Sequence, residues 1–345
     1  MHPGAFCAQT RLLIVAGKGG VGKTTVSATV ARMAARAGRS ALIIDVEGKS
    51  GLGNIFDFPR SLTYQEVVLA DGGGPDGTGE VRARTLTPDD ALLEYLIDHG
   101  MNRLSKRLAS TGALDVVATA APGIKDILVL GKVKQLEQAR DQQDLLVLDA
   151  PAAGHAVTFL TSAQGLLDAV TVGPIRHQAA EVLELLSDPA RCQVMLVTLP
   201  EETPVNEVVE TAFKLEDRVG VHLGPIVVNA MYPVIDLDFD AAEAAEAAGV
   251  RLTPSEVASL RASARFRLRR QELQAEQARR LADALPLPQL HLPFLFTTEL
   301  STPEVDVLAA AMEAALAKLP GPSPAPPFES EEEAPAETGP ASGTP

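Results

Sequence analysis

The fold of this chain is decided by the stretch Leu12-Leu13-Ile14-Val15-Ala16-Gly17-Lys18-Gly19-Gly20-Val21-Gly22-Lys23-Thr24-Thr25. An apolar run typical of a β-strand passes through glycines into Gly-x-x-x-x-Gly-Lys-Thr, and an Ala/Val/Met-rich helical pattern follows to about Ala37. Strand, loop and helix in this order form the context that a phosphate-binding P-loop requires. The alternative is a glycine-rich turn before a core helix, and the agreement of motif and context argues against it.

The residue types in this loop suit a nucleoside triphosphate. Glycines let backbone N–H groups close around phosphate oxygens, and a helix N-terminus adds its positive dipole. Lys23 can reach the β- and γ-phosphates, and Thr24 can ligate Mg²⁺. We therefore predict a site for ATP and Mg²⁺, whose nucleotide contacts in the loop are Gly17, Gly19, Gly20, Val21, Gly22, Lys23, Thr24 and Thr25.

Apolar runs that lack clean alternation recur along the chain with helical patterns between them. Strands buried on both faces have this composition, so we predict an α/β fold with a mostly parallel, twisted sheet flanked by helices. The candidate strands are Arg11–Ala16, Ala41–Asp45, Leu114–Thr119, Leu145–Asp149, Ala169–Val172, Gln193–Thr198, Gly224–Asn229 and Gln289–Leu292.

The spacing of strands breaks between the second and third candidates. A glycine-rich turn covers 71–79, and a largely helical insertion is predicted at about 56–140. An apolar stripe at helical spacing marks it, and that stripe is either ordinary core or a client-binding groove. Its residues are Leu93, Ile97, Met101, Leu104 and Leu108.

Composition gives the remaining boundaries. We predict an N-terminal extension over 1–10, an ATPase domain over 11–319, and a disordered, acidic, Pro-rich tail over 320–345. Within the domain a long helix should begin at Pro254, after Thr253, and a last helix should cover Pro303–Leu319.

The overall charge restricts the partners. Lys and Arg number 30 against 45 Asp and Glu, a net charge of −15, which argues against nucleic acid and against an anionic membrane surface. Four arginines cluster in the long helix, and we interpret them as a solvated helix face rather than a nucleic-acid patch. They are Arg265, Arg267, Arg269 and Arg270.

Cysteine usage and hydropathy point to the cytoplasm. Cys7 and Cys192 are far apart in the sequence, so we expect neither a zinc pair nor a disulfide framework. No apolar run reaches the ~18–20 residues that span a bilayer, so we expect no direct membrane span.

Acidic side chains end two of the predicted strands. Asp45 ends the second strand, Glu47 lies two residues past Asp45, and Asp149 ends a run of four apolar residues. Strand ends beside a P-loop point towards the γ-phosphate, so Asp45, Glu47 and Asp149 are candidates to hold water or Mg²⁺. Asn229 ends a later strand, where its amide could bind the adenine edge or could form a turn.

The second lysine of the loop carries a family resemblance. In the form Gly-Lys-Gly-Gly-Val-Gly-Lys-Thr-Thr the loop resembles the deviant Walker A motif of partition, nitrogenase-iron-protein, arsenical-pump and tail-anchored-protein-targeting ATPases. The resemblance implies a homodimer in which Lys18 reaches across to the partner's phosphates. The alternative for Lys18 is a solvated loop cation.

The stretch Asp149-Ala150-Pro151-Ala152-Ala153-Gly154-His155 is similar to the switch II motif of the arsenical-pump and tail-anchored-targeting branch. That branch implies three roles: Glu47 positions the attacking water, Asn229 binds adenine, and Pro293 lies near the other side of the base. Glu47 stands where the family has Asp, and whether Glu47 or Asp45 positions the water is left open. His155 could sense the γ-phosphate, shape the dimer or be structural.

These patterns predict an ATPase whose Mg-ATP state opens and closes a homodimer, with Lys18, Glu47 and Asp149 as catalytic residues. The resemblance implies a membrane-protein client or an integral-membrane partner, and its identity is open, as is any handling of metalloid. The alternative is a partition or positioning ATPase that binds membrane or DNA. The acidic tail and the acidic body argue against that alternative.

Overall fold

The computed structural model describes residues 1–46, 48, 51–71, 77–98, 100–101, 103, 123–139, 144–235 and 240–320. Eight strands form one sheet in the order β3-β4-β2-β5-β1-β6-β7-β8. Every neighbouring pair is parallel except β3 and β4, which are antiparallel. The strands are β1 (Leu12–Gly17), β2 (Ala41–Asp45), β3 (Val67–Ala70), β4 (Val81–Thr85), β5 (Leu145–Ala152), β6 (Cys192–Thr198), β7 (Ile226–Met231) and β8 (Gln289–Pro293).

Helices cover both faces of this sheet, which confirms the predicted α/β class with a mostly parallel sheet. The described residues contain α1 (Pro3–Cys7), α2 (Lys23–Arg36), α3 (Leu52–Ile55), α4 (Pro88–Asp98), α5 (Ile124–Ala139), α6 (Ala153–Ala169), α7 (Pro174–Ser187), α8 (Glu202–Val219), α9 (Ala241–Ala247), α10 (Pro254–Ala284) and α11 (Thr302–Ala317).

Strand β1 shows why the apolar runs do not alternate. Its side chains point to opposite faces in turn: Leu12 and Ile14 belong to one core, and Leu13 and Val15 belong to the other. The first core packs under α4 to α8, and the second packs under α2 and α11. Because both faces are buried, an apolar residue is favoured at every position of the strand.

Of the two long C-terminal helices, α10 begins at Pro254 as predicted, and α11 begins at Thr302, one residue before the predicted start. Thr253 and Glu256 form a capping box at the start of α10, and Ser301 and Glu304 form another at the start of α11. Each box satisfies first-turn N–H groups that the helix itself leaves unpaired.

The strand predicted at Ala169–Val172 is wrong. Ala169 is the last residue of α6, and α7 begins at Pro174, so the β-branched residues between them form a connector. Val172 is 80% exposed. With only four residues between two helices that contact each other, the chain has no length to cross the sheet.

The segment predicted as a largely helical insertion contributes two strands to the sheet. In β4, Val81, Ala83 and Thr85 alternate with Arg82 and Arg84, so no apolar run marks the strand. The arginines are accommodated by ion pairs, because Arg82 pairs with Asp144 at 2.8 Å. Helices α4 and α5 account for the helical part.

The apolar stripe of that segment does not form the buried face of α4. Leu92 and Leu96 are buried, whereas Ile97 is 50% exposed and Met101 is 38% exposed. Several predictions lie outside the described residues: the strand at 114–119, most of the turn at 71–79, Leu104, Leu108 and the tail from 321 onward. The domain boundaries stay predictions.

In the part of the chain that the structure describes, no helix combines the length and hydropathy that crossing a bilayer demands. Cys7 and Cys192 are both buried free thiols, and they belong to the cores on opposite faces of the sheet. Burial raises the pKa of Cys7 to about 12.

Candidate functional site

The predicted site residues meet at one edge of the sheet. Gly17 ends β1, Asp45 ends β2, Asp149 lies near the end of β5, and Asn229 and Pro293 lie at the ends of β7 and β8. Parallel strands bring their carboxyl ends to the same edge, and open α/β sheets bind ligands in the crevice there. Strand pairing thus assembles residues that are more than 270 positions apart.

At two positions of the loop, Gly17 and Gly22, the structure leaves no room for a Cβ atom. Gly22 has φ +91°, and a Cβ there would collide with the amide nitrogen of Asn229. A Cβ on Gly17 would collide with the carbonyl oxygen of Val197 on β6. Val21, which is 2% exposed, packs into the core between them and anchors the loop.

The loop leads into the N-terminus of α2. Gly22 is the N-cap and makes no side-chain capping bond, so a phosphate can take the place of a capping side chain. Gly19 and Gly20 are exposed at the tip of the loop. Thr25 lies in the first turn, and its carbonyl accepts the Thr29 hydroxyl at 2.7 Å.

Asp149 is held by two hydroxyls of α2. The Thr24 hydroxyl donates to Asp149 Oδ2 at 2.6 Å, and the Ser27 hydroxyl donates to Oδ1 at 3.3 Å. Lys23 Nζ donates to the Lys18 carbonyl at 3.4 Å, so its ammonium lies over the loop. The three residue types that the motif predicts for phosphate and metal are therefore in one place.

Asp45 and Asp149 are neighbours on adjacent strands, where they pair in register. Both are buried, at 3% and 5% exposure. Burial, with a smaller contribution from the charge of Asp45, raises the pKa of Asp149 to about 6, against the opposing effects of Thr24 and Lys23. Two buried carboxylates side by side repel each other unless a cation joins them.

These residues fit Mg²⁺. A hard divalent cation takes oxygen ligands, and Thr24, Asp45 and Asp149 offer a hydroxyl and two carboxylates beside the phosphate-binding loop. Among the described residues no group of three or more His, Cys, Asp or Glu could form an all-protein metal cage. That suits Mg²⁺, which binds through one or two carboxylates, the nucleotide's phosphates and water.

Lys18 lies on the outside of the loop. Its ammonium forms an ion pair with the carboxylate of Glu207 on α8, and the two side chains are 45% and 36% exposed. The sequence does not mark Glu207, because it lies in a helix far from any motif. Lys18 is therefore oriented away from the phosphate position of its own loop.

Glu47 lies outside the described residues. On either side of it the backbone is defined, and the Gly48 N–H donates to Asp45 Oδ1 at 3.1 Å. Gly48 has φ +65°, a conformation that glycine adopts without strain. The choice between Asp45 and Glu47 for positioning water stays a prediction.

A cavity of about 510 Å³ opens beside the P-loop. The loop lines one side through Gly22 and Thr25, and the ends of β7 and β8 line the other through Asn229 and Pro293. This volume suits a nucleoside-sized ligand. The Asn229 amide donates to the Val21 carbonyl at 2.9 Å, so its first partner in this structure is the loop.

Two aromatic rings, Tyr232 and Phe294, line the outer side of the cavity, and Phe296 packs against both of them. The centroid of Tyr232 is 5.2 Å from that of Phe294 and 5.6 Å from that of Phe296. The Arg267 guanidinium lies 4.2 Å from the Tyr232 centroid, and Arg270 pairs with Glu201 at 3.0 Å. The predicted solvated arginine face is therefore wrong for these two residues, because α10 packs against the ring cluster.

Gln274 on α10 is a further residue that sequence reasoning missed. It is 3% exposed, its carbonyl accepts the Tyr232 N–H at 2.8 Å, and its amide donates to the Ala230 carbonyl at 3.2 Å. Ala230 has φ +59°, which is uncommon for a residue with a side chain. Gln274 thus fixes the backbone directly after Asn229, and nothing in its Ala/Glu/Arg-rich stretch signals this.

The start of α6 carries the predicted switch segment. The structure describes no side chain for 152–154, and His155 is exposed. Burial raises the pKa of Asp126 at the start of α5, and the charge of His155 opposes that shift. His155 therefore lies near enough to α5 to interact with it.

The comparisons with known proteins agree with this geometry. Residues 10–172 match the family model described as anion-transporting ATPase. The ATPase BagA of Mycobacterium tuberculosis is 33% identical over 302 residues, covering 82% of this chain and 87% of that protein. An arsenical pump-driving ATPase of Escherichia coli is 26% identical over 258 residues, covering 68% and 41%. Protein Rv2184c of M. tuberculosis is 26% identical over 252 residues, covering 65% and 60%.

Proposed function

This chain belongs to the anion-transporting ATPase family, and we propose that its binding and hydrolysis of ATP close and open a homodimer. ATP and water give ADP and phosphate, and the bound nucleotide decides whether two chains are closed on each other or apart. The observation that carries the proposal is the position of Lys18, which is exposed and paired on α8 instead of lying over its own phosphate site.

We assign the nucleotide to the crevice at the carboxyl edge of the sheet. The loop from Gly17 to Thr25 and the side chain of Lys23 bind the phosphates. The cavity beside the loop receives the nucleoside, with Asn229 and Pro293 near the adenine. Asn229 can keep its bond to the Val21 carbonyl and still use its amide oxygen and second N–H, since a primary amide has two donors and two acceptor lone pairs.

Thr24, Asp45 and Asp149 would hold Mg²⁺. When bound, the ion supplies positive charge to the phosphate oxygens and relieves the repulsion between the two carboxylates. The residues themselves prepare this site, because the bonds from Thr24 and Ser27 fix both oxygens of Asp149 before any ligand arrives.

Hydrolysis needs a water aligned with the γ-phosphate and a cation at the charge that develops there. We assign the water to Asp45, the last residue of β2, or to Glu47, two positions later in the sequence. We assign the cation to Lys18 of the second chain. One chain then supplies the phosphate-binding half of each site and the other completes it, as a symmetric dimer allows.

A switch of this kind acts on something, and we propose a membrane-protein client or an integral-membrane partner, in the cytoplasm where ATP is available. One relative is named for driving an arsenical pump. Among the described apolar residues of the predicted insertion, Val68 on β3 and Ile97 and Met101 near the end of α4 are exposed and could contribute to such a contact.

Replacing Lys18 with alanine tests the catalytic part of this proposal. ATP should still bind with near-normal affinity, whereas the turnover rate should fall about 100-fold or more, since a cation at the developing charge contributes several kcal/mol. Binding is measured with a fluorescent nucleotide and turnover by phosphate release. Lys214→Ala, which breaks an exposed ion pair on α8, is the matched control. Wild-type turnover in Lys18→Ala would remove Lys18 from catalysis.

A further inference from the structure

The ion pair between Lys18 and Glu207 links the P-loop to a helix that no motif marks. The Lys18 ammonium contacts Glu207 Oε1, and the two residues are 189 positions apart in the sequence. A lysine side chain reaches one place at a time. If Lys18 acts on the phosphates of a second chain, its contact with Glu207 must break first.

The backbone of Glu207 is well fixed. Helix α8 begins soon after β6 ends, and β6 pairs with β1 in register up to Gly17. On either side of Glu207, Val205 and Val208 are buried in the core. The Thr211 hydroxyl donates to the Glu207 carbonyl at 2.7 Å. The backbone that carries the carboxylate is therefore fixed before the pair forms, so the entropy lost on pairing is that of the two side chains.

The second oxygen of Glu207 makes the pair harder to break. Among the described residues Oε2 is buried and has no hydrogen-bond partner. If Lys18 leaves, a carboxylate with one dehydrated oxygen also loses its counter-charge, and such a group is costly without a partner. Lys18 is therefore the counter-charge of a half-exposed carboxylate that has one oxygen shielded from water.

We propose that Glu207 is a positioning residue that holds Lys18 on its own chain until two nucleotide-bound chains close. The inference rests on the proposed function, because it requires Lys18 to act across a dimer. Glu207 then sets the protein concentration at which ATP drives assembly, and it leaves the rate of the assembled dimer unchanged.

The test is the ATP-dependent dimerisation of the full chain and of Glu207→Gln. Glutamine keeps the shape and loses the charge. Exposed ion pairs contribute about 1.4- to 5-fold each, and a homodimer must break two, so the dimerisation midpoint should fall about two- to thirty-fold. Sedimentation velocity over a range of protein concentrations gives the midpoint, and turnover at saturating protein should equal that of wild type.

Two further variants separate this effect from a general change of charge. Glu210→Gln removes a carboxylate from the same helix, where it pairs with Lys214 at 3.1 Å, and its midpoint should stay at the wild-type value. In a Lys18→Ala background, Glu207→Gln should no longer lower the midpoint, because no lysine remains to be held.

Each outcome is decisive. If wild type shows no ATP-dependent dimer, the proposed function fails. If wild type dimerises and Glu207→Gln has the same midpoint, only the role of Glu207 fails. The role of Glu207 also fails if Glu210→Gln shifts the midpoint equally or if Glu207→Gln lowers turnover at saturating protein. Glu207→Asp, which keeps the charge on a shorter stem, should give an intermediate midpoint.

Discussion

Asp149 is costly to the metal-free protein. Burial and the neighbouring Asp45 raise its pKa to about 6, so at neutral pH the folded chain carries a carboxylate that its surroundings disfavour. The hydroxyls of Thr24 and Ser27 offset part of that cost. A residue that lowers the stability of the folded chain is expected to have a functional role. Binding of a cation is the role that would offset the cost of burying the Asp149 carboxylate.

Asp149→Asn should therefore stabilise the metal-free protein. The pKa of Asp149 is higher in the folded chain than in the unfolded chain. The folded chain thus binds more protons between the two values, and stability falls as pH rises through this window. At pH 8 the variant should gain about 1–3 kcal/mol in the free energy of unfolding, and at pH 5 the gain should shrink. Denaturant unfolding with a chelator measures both.

The exposed Asp217 of α8 provides the control, because Asp217→Asn should change the free energy of unfolding by less than about 0.5 kcal/mol. An Asp149→Asn variant with wild-type stability at pH 8 would mean that burial and the charge of Asp45 impose no net cost on the Asp149 carboxylate.

At the scale of elements, the nucleotide cavity depends on how α10 is fixed against the ends of β7 and β8. Gln274 bonds the backbone on both sides of Met231, and Arg267 stacks on Tyr232. The left-handed Ala230 between Asn229 and these contacts is held only by its surroundings. The helix thus fixes the backbone next to Asn229, and its Arg270 and Gln274 also line the cavity.

Gln274→Ala should weaken nucleotide binding more than it slows turnover. Loss of two buried hydrogen bonds leaves backbone groups unpaired and costs about 1–3 kcal/mol, so the Kd for ATP should rise about ten-fold while kcat stays within about two-fold. Titration with a fluorescent nucleotide and steady-state turnover separate the two. Glu272→Ala, at an exposed position of α10, should change neither. A fall in kcat with an unchanged Kd would contradict a positioning role.

The elements that the sequence predicted well are those whose pattern follows from burial on both faces. Strand β1 and the loop after it could be read directly, because every residue from Leu12 to Val15 is apolar and a P-loop has fixed spacing. Strand β4 could not be predicted, since Arg82 and Arg84 interrupt its apolar residues. Besides the local Glu80, the ion-pair partners of these arginines are Asp144 and Glu66, which lie in other segments of the chain, so no local pattern predicts the strand.

The same distinction applies to the site. The P-loop, Asp45 and Asp149 are marked by motifs at strand ends, and the structure brings them together. Glu207 and Gln274 are helical residues whose roles arise only when α8 and α10 pack beside the loop and the strand ends. Tertiary packing decides such contacts, and a single sequence carries no signal for them.

At the scale of the whole molecule, the orientation of Lys18 indicates whether one chain holds a complete site or half of a shared site. The carboxyl edge of the sheet gathers the phosphate loop, the two carboxylates and the nucleoside cavity within one chain. Lys18, the remaining cation of the loop, faces outward to α8. The central claim is that this lysine completes the site of another copy.

Mixing two inactive variants tests that claim most directly. Lys18→Ala keeps the phosphate and metal site but lacks the crossing lysine, and Asp149→Asn lacks a metal-binding carboxylate but keeps the phosphate-binding loop and still supplies Lys18. Each alone should hydrolyse ATP at about 1% of the wild-type rate or less. If Lys18 acts across the dimer, an equimolar mixture should recover about a quarter of the wild-type rate, because half of the dimers are mixed and each has one complete site. A mixture as inactive as its components would show that Lys18 does not complete the site of another copy.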